Sequence, residues 1–438
     1  MNPTSTLPEE RLEIPAAGAG GLPRLLTSTA LHRALTLEEH LAIHGELTPG
    51  KRRGRETGLI AEIDHAGLRG RGGAGFPTAK KMRAVAASRR RPIVVLNATE
   101  GEPASRKDAT LATTVPHLAL DGAVLAARAL GADEVLVAVC EASPENVDAL
   151  AVAIAERGRD RSGPRLTLRQ IPPGYLTGQE SALMSHLDGG PGLPRFTPPM
   201  PFERGVGGRP TMVSNAETYA HIAMICRRGA DWFRELGTPN EPGSALVTIS
   251  GVVADPGVYE IEWGTRLRAL VRAAGGLTSA PRAALIGGYG GTWIGAEHLA
   301  DLALSDEALA PHNASLGAGV IVLLDGAACP VAETARVIRW MADQSARQCG
   351  PCLHGLHALA TEFEQLTYGS SGPGHPRRLE HLAGMVFRRG ACAHPDGVSR
   401  LAMSALNTFE EEFLDHATHG GCEACTAPAR LPLPAMGR

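Results

Sequence analysis

The sequence predicts a multidomain α/β + α+β chain: an α/β domain with a parallel sheet, a smaller α+β domain, and a C-terminal helical region. Three observations carry this. Short apolar runs alternate with helical patterns between residues 92 and 159, as expected when crossover helices cover a parallel sheet. Between 244 and 325 the pattern changes to a hairpin, a helix and a further strand. From Glu333 onward it is helical and holds five of the eight cysteines.

In chain order, residues 1–55 open with a polar, Pro/Gly-rich tail and continue into a helical pattern around Leu37 to Ile43. The stretch from Gly67 to Thr78 follows, with five glycines and two arginines in twelve residues. Glycine admits backbone N–H groups close to a ligand, and the arginines bring positive charge. Thr78 is placed to cap a helix beside Lys80 and Lys81. A loop-to-helix junction of this kind suits a phosphate-bearing cofactor, with a flexible surface loop as the alternative.

Lys80 to Ser88 reads as a helix, and Pro92 to Leu96 as a buried strand. That strand enters the polar turn from Asn97 to Glu102. Ligands sit beyond the carboxyl ends of strands in open parallel sheets, so this turn and the glycine loop are expected to face one ligand. Leu118 to Leu130 is a helix closed by Gly131, Glu134 to Val139 a strand, and Ser143 to Arg159 a helix with Ser143 as N-cap. Residues 171–218 are rich in Gly and Pro and read as a long functional loop, within which Gly178 to Leu183 opens a short helix. Ala245 to Ile249 and Gly257 to Ile261 flank a turn, Arg266 to Ala274 is a helix, and Val320 to Leu324 a final strand. Leu401 to Leu414 is among the clearest of the later helical segments.

The chain has 438 residues, 43% of them hydrophobic and 20% charged, enough for several domains with their own cores. A net charge of -3 argues against a nucleic-acid or other polyanion partner. The basic runs at 51–55 and 89–91 read as solvated surface. No stretch reaches the ~18 apolar residues of a membrane span, and the acidic N-terminus lacks a signal-peptide core, so a cytoplasmic location is expected. Cys140, Cys226 and Cys329 read as ordinary buried thiols. Cys349 and Cys352, in a C-G-P-C string, read as cluster ligands, a redox dithiol or a neutral pair. The terminal Cys422 and Cys425, with His419 nearby, read as a metal site or as spare thiols.

The glycine-arginine stretch, Asn97 to Asp108, Gly178 to Leu183, Val213 to Thr218 and the cysteine region together resemble one family. It is the flavin-binding, 51 kDa-type subunit of NADH-quinone oxidoreductase, with the matching subunits of NAD-linked hydrogenases and formate dehydrogenases. The resemblance covers roughly residues 35–415. It implies a Rossmann-like FMN- and NADH-binding domain over 56–240 and a ubiquitin-like β-grasp, soluble-ligand-binding domain over 244–326. A helical iron–sulfur-binding bundle over 330–416 and a cysteine-containing tail over 417–438 complete it. Carried over, Gly70, Arg71, Gly72, Ala74, Lys81, Asn97, Glu100, Asn215 and Thr218 belong to the FMN site. Glu102 and Phe76 help place the nicotinamide and the dinucleotide, and Glu180 is a carboxylate near the flavin. Cys349, Cys352 and Cys392 match three of the four ligands of a [4Fe–4S] cluster, and Ala346 stands where the family has the other cysteine. Four outcomes are open: Cys422 or Cys425 as the fourth ligand, a [3Fe–4S] cluster, a ligand such as His354, or no cluster.

On the NADH side, Ala84 replaces an adenine-stacking aromatic, Thr197 and Met200 replace a lysine and a phenylalanine, and Thr99 replaces a flavin-site aspartate. Loss of a stacking aromatic or of a cation weakens dinucleotide binding by ~1 kcal/mol or more each. The resemblance implies an FMN-dependent oxidoreductase passing electrons from NADH or another donor to an iron–sulfur partner, such as a small thioredoxin-like [2Fe–2S] subunit. The alternatives are a relay fed by a ferredoxin and a degenerate paralogue acting as a binding module.

Overall fold

The computed structural model describes residues 21–27, 33–47, 55–158, 163–369 and 371–434. The N-terminal tail and the basic run at 51–55 lie outside the described residues or side chains. Helices α1 (Leu37–His44) and α2 (Arg55–Ala66) precede the glycine loop, and α3 (Thr78–Ala86) follows it. Then come β1 (Ile93–Ala98), α4 (Lys107–Thr114), α5 (Pro116–Leu130), β2 (Glu134–Cys140), α6 (Pro144–Glu156) and β3 (Arg165–Ile171). The first unit closes with α7 (Glu180–Leu187), β4 (Thr211–Asn215), α8 (Ala216–Arg228) and α9 (Ala230–Arg234). Its sheet is parallel throughout, in the order β3-β2-β1-β4, with Val95 opposite both Leu136 and Val213.

The two faces of this sheet follow from the period-2 alternation of a strand. Val94 and Leu96 pack with the apolar side of α5, while Ile93 and Val95 pack with Leu183 and Met184 of α7. Helix α5 has the composition that permits close approach: Gly122 meets the backbone of α8, where an added Cβ would lie 1.7 Å from the Tyr219 carbonyl oxygen. Tyr219 is fully buried, and its hydroxyl donates to the Val95 carbonyl at 3.2 Å. This contact anchors α8, and α8 begins at the site.

A second sheet follows, built from β5 (Ser244–Gly251), β6 (Gly257–Glu262), β7 (Pro281–Ile286), β8 (Thr292–Gly295) and β9 (Val320–Asp325). Helices α10 (Leu267–Ala273), α11 (Ala296–Leu299) and α12 (Asp306–Leu309) lie between its strands. The order is β6-β5-β9-β7-β8, and only β5 and β9 run parallel. Its faces also alternate. Ile321 and Leu323 pack with Leu267 and Leu270 of α10, whereas Val320, Val322 and Leu324 share a core with the C-terminal helices. Those are α13 (Pro330–Asp343), α14 (Leu356–Tyr368), α15 (His375–Val386), α16 (His394–Thr408) and α17 (Glu410–His419). The helical region is therefore built onto one face of the second sheet.

Several expectations change. The segment 171–218 is not one loop: it holds the end of β3, all of α7 and all of β4, the last pairing with β1. The helical run at 401–414 is broken between α16 and α17 at Phe409, whose φ of -122° leaves the helical region. Neither Thr78 nor Ser143 caps by its side chain. Pro77 occupies the cap of α3, and Thr78 Oγ1 is buried without a partner. Among the described residues no single helix is long and apolar enough to cross a membrane.

Gly122→Ala is expected to destabilise the protein by about 3 kcal/mol or more, because the clash is with backbone on both sides and neither helix can give way alone. Equilibrium urea unfolding measures it, and an unchanged midpoint would refute the close-packing account.

Candidate functional site

The glycine loop is closed by its own backbone. Gly70 N–H donates to the Phe76 carbonyl and Thr78 N–H to the Leu68 carbonyl, both at 2.9 Å. Gly73 and Gly75 have φ of 98° and 58°, which favour glycine. Gly70 and Gly72 are different. Their φ values are unexceptional, and an added Cβ would meet nothing of the protein closer than 3.6 Å and 3.9 Å. Neither position needs glycine for the fold; both leave open space along the loop. Ala74 and Phe76 are exposed on it.

The loop is held at the carboxyl ends of β1 and β4. Asn215, last residue of β4 and N-cap of α8, donates from Nδ2 to the Arg71 carbonyl at 3.1 Å. Thr218 Oγ1 accepts from Arg71 N–H at 2.9 Å and donates to Asn215 Oδ1 at 2.5 Å. The Arg71 side chain turns away from this contact. Its guanidinium is buried, donates to the Ser244 carbonyl at 2.9 Å and lies 3.8 Å from Glu217. The charge expected for a ligand is thus held by a carboxylate, because an unpaired guanidinium at that depth would be too costly.

Beneath the loop, Lys107 pairs with Asp108 at 2.8 Å and Glu217 at 3.0 Å, and all three are buried. Burial works against the charge of Glu217, yet Lys107, His221 and Arg71 hold its carboxyl down at about 2. Glu100 accepts from the Asp108 and Ala109 N–H groups at 3.2 and 3.1 Å, and so fixes the start of α4. Asn97 donates to the Gly178 carbonyl at 2.8 Å and accepts from the Thr99 hydroxyl at 2.5 Å, tying the end of β1 to the segment before α7. Lys81, on α3, bridges Glu180 Oε1 at 3.2 Å and the Val213 carbonyl at 2.9 Å. Glu102 reaches the second sheet, where its Oε2 accepts from Tyr289 N–H at 3.0 Å. Its Oε1 is buried with no partner, and burial pushes the carboxyl up to about 7 against the N–H groups of Tyr289 and Ala104.

The cysteines fall into two sets. Cys349 precedes a π-helical turn over Pro351–Gly355, Cys352 is buried within it, and Cys392 lies just before α16. Burial, followed by Cys349 and Cys392, pushes the Cys352 thiol up to about 12. Ala346 is buried in the position before them. Of the four open outcomes for the fourth ligand, Cys422 or Cys425 is not the one the fold favours. Both stand with Cys329 and His416, whose ligand atoms all lie within 4.8 Å of one another. Cys329 is accordingly no ordinary buried thiol, and Cys226 is exposed. Two members of this set were not legible in the sequence: Cys329, whose partners are 87 and 96 positions away, and His416, since the sequence pointed to His419, which pairs with Asp415 instead.

Comparison with known proteins agrees with this layout. Residues 63–224 match the Nuo51 FMN-binding domain, residues 246–294 an SLBB domain, and residues 332–416 the NADH-ubiquinone oxidoreductase-F iron-sulfur binding region. The NADH-quinone oxidoreductase F subunit of Mycobacterium tuberculosis is 33% identical over 381 residues, covering 83% of this chain and 85% of that protein. Its counterpart of the same name in Streptomyces coelicolor is 33% identical over 378 residues, covering 83% and 84%. The chain belongs to the family of these flavin-binding oxidoreductase subunits. A chain of an NAD+-reducing [NiFe]-hydrogenase in its H2-reduced state matches with a TM-score of 0.76 and 32% identity, over 82% of this chain and 63% of that one.

As a member of that family, the chain carries an FMN-binding domain and an iron–sulfur binding region, and it is an oxidoreductase subunit. Its residues fit FMN: the space over Gly70 and Gly72 is open, and Glu102 Oε1 lacks a protein partner. The iron–sulfur region fits in part. Cys349, Cys352 and Cys392 lie in it, and Ala346 supplies no fourth thiol.

The raised carboxyl of Glu102 has a consequence for stability. A folded-state value near 7 against an ordinary 4.5 means that the flavin-free protein loses stability as pH rises from about 4.5 to 7, by up to about 3 kcal/mol, and no more above that. Glu102→Gln is expected to remove that slope. Denaturant midpoints across this window test it, and parallel curves for the two proteins would refute it.

Proposed function

We propose that this chain is the electron-entry flavoprotein of a larger oxidoreductase, oxidising NADH and supplying electrons to an iron–sulfur partner. The observation that carries this reading is the glycine loop, closed by its own backbone at the ends of β1 and β4 and left open over Gly70 and Gly72. When bound, FMN supplies the conversion between a two-electron donor and one-electron acceptors. Gly70, Gly72, Ala74 and the main chain of Arg71 form the cradle, and Asn97, Glu100, Asn215 and Thr218 hold it in shape. Lys81 is the cation at the flavin and fixes Glu180 beside it. Glu102, with a carboxyl near 7, holds or releases a proton at Oε1 around neutrality. Phe76, 43% exposed and beside the Lys80 ammonium, offers a face to the dinucleotide. Cys349, Cys352 and Cys392 hold three corners of the cluster.

The same reading divides the chain into an FMN and NADH domain over 56–240, a β-grasp domain over 244–326 and a helical bundle over 330–416. It places the protein in the cytoplasm beside a small thioredoxin-like [2Fe–2S] subunit. The names of the relatives, NADH-quinone oxidoreductase and NAD+-reducing hydrogenase, support NADH as the donor. The full-length protein, reconstituted with FMN and titrated anaerobically with NADH, is expected to bind one flavin and bleach it. Failure to bind flavin would overturn the proposal.

Gly72→Ala is expected to leave the unfolding midpoint nearly unchanged but to weaken FMN binding at least about tenfold, since its Cβ enters space that only a ligand fills. Equal loss of stability and flavin would mean that glycine serves the fold instead. A second reading is favoured by Ala84, half-buried on α3 where the family has an aromatic: electrons come from a ferredoxin, and NADH binds too weakly to matter. Ala84→Phe distinguishes the two. Under the first reading it lowers the KM for NADH by about five- to tenfold, from one added stacking contact. Under the second, neither protein reacts with NADH.

A further inference from the structure

We infer that Cys329, His416, Cys422 and Cys425 form a closed, tetrahedral site for a single zinc ion that staples the C-terminal tail to the body of the protein. The spacing decides the stoichiometry. Thiolates about 2.3 Å from one tetrahedral ion lie about 3.8 Å apart. Cys425 Sγ lies 3.6 Å from Cys329 Sγ and 3.7 Å from Cys422 Sγ, and Cys329 Sγ lies 3.8 Å from His416 Nε2. A disulfide needs sulfurs about 2.05 Å apart, so none of these contacts is one. A cluster of four irons spreads its thiolates wider than a single ion does.

The histidine is prepared for the role. His416 Nδ1 lies 3.0 Å from the Leu366 carbonyl, so Nδ1–H donates there and Nε2 keeps its lone pair for the metal. Cys425 Sγ also lies 4.0 Å from Nδ1. Cys329, His416 and Cys425 are buried and Cys422 is exposed, with four protein ligands and no open position. That is the form of a structural zinc site, and the mixed sulfur and imidazole donor set suits zinc. Three thiolates on a divalent ion leave one negative charge. Arg336, itself paired with Glu333, donates to the Cys425 and Ala427 carbonyls at 2.8 and 2.6 Å and so fixes the turn that carries Cys425.

The ligands come from three places: Cys329 at the cap of α13, His416 on α17, and Cys422 and Cys425 in the tail. Beyond the site, the tail folds back along the protein. Glu333 accepts the Arg430 and Leu431 N–H groups at 2.9 and 3.0 Å, and the Tyr289 hydroxyl donates to the Pro432 carbonyl. Tyr289 is the residue whose N–H holds Glu102.

Full-length protein, purified anaerobically without chelators, tests this by elemental analysis. About one zinc per chain is expected, whatever the iron content, and protein made with cobalt should show intense thiolate-to-cobalt absorption with tetrahedral ligand-field bands. The pair Cys422→Ser and Cys425→Ser should lower zinc more than tenfold and expose the tail to protease. Cys349→Ser should leave zinc unchanged. Wild-type protein with no zinc, with iron at these thiols, or with a Cys422–Cys425 disulfide by mass spectrometry would overturn the inference. So would equal zinc loss in Cys349→Ser. The wild-type metal content and cobalt spectrum decide the matter even if the double variant does not fold.

Discussion

The buried carboxylate of Glu217 is the constraint on which the arrangement of the site depends. It sits in the first turn of α8, 1% exposed, and meets Lys107 from α4, Arg71 from the glycine loop and Leu246 N–H from β5. Three segments far apart in sequence therefore converge on one side chain. A buried ion pair contributes little to stability compared with an apolar replacement, but removing one partner leaves an uncompensated charge at a cost of roughly 3–5 kcal/mol. What the network supplies is geometry. With Arg71 drawn toward Glu217 and Ser244, its backbone is fixed against Asn215 and Thr218, and the loop can stay open over Gly70 and Gly72 without collapsing.

The same network explains what was legible in the sequence. β1, β2 and α5 announce themselves because local composition and local structure agree: continuous apolar strands, an Ala/Leu-rich helix, and Gly131 in the left-handed region at its end. The glycine loop was legible for the same reason. β3 was not, since Arg165 to Ile171 is an edge strand with a largely solvated pattern, and β4 is only five residues long. Their pairing is settled by the sheet, not by their own composition. The fate of the Arg71 charge was equally hidden. It depends on Glu217, 146 positions further on, and a glycine-arginine loop looks the same whether its arginine faces a ligand or a buried carboxylate.

The cysteines show the limit most clearly. Two C-x-x-C pairs in one region invite a single site, and spacing alone cannot say which thiols share an ion. The fold separates them, because α17 carries His416 toward the cap of α13 and the tail follows it. Cys329 then joins the tail, and Cys349, Cys352 and Cys392 remain around the π-helical turn. The tight spacing of the tail set suits one ion, and the other three cysteines lie in the region matched to iron–sulfur binding, so the two sets divide by place and by chemistry.

Between Glu102 and the π-helical turn lies a continuous aromatic layer. Tyr289, held to Glu102 through its backbone, packs edge-on to Trp340 with centroids 5.9 Å apart. Trp340 packs edge-on to Tyr175 at 5.5 Å, and Tyr175 meets His394, two residues past Cys392, at 5.5 Å. Gln344, at the end of α13, accepts from Tyr175 N–H at 3.1 Å and His394 donates to the Met341 carbonyl at 2.9 Å, so Tyr175 and His394 are both fixed to the helix that carries Trp340. Packed aromatic rings leave few mobile dipoles to reorganise when charge passes nearby, and they exclude the water that would do so. In a protein that must carry electrons from a flavin domain to a cysteine-bearing helical region, a rigid layer of this kind holds the two sites at a set distance. That layer exists because the helical region is built onto the second sheet: one face of that sheet contributes to the core that positions Trp340 and, through Tyr289, to the position of Glu102.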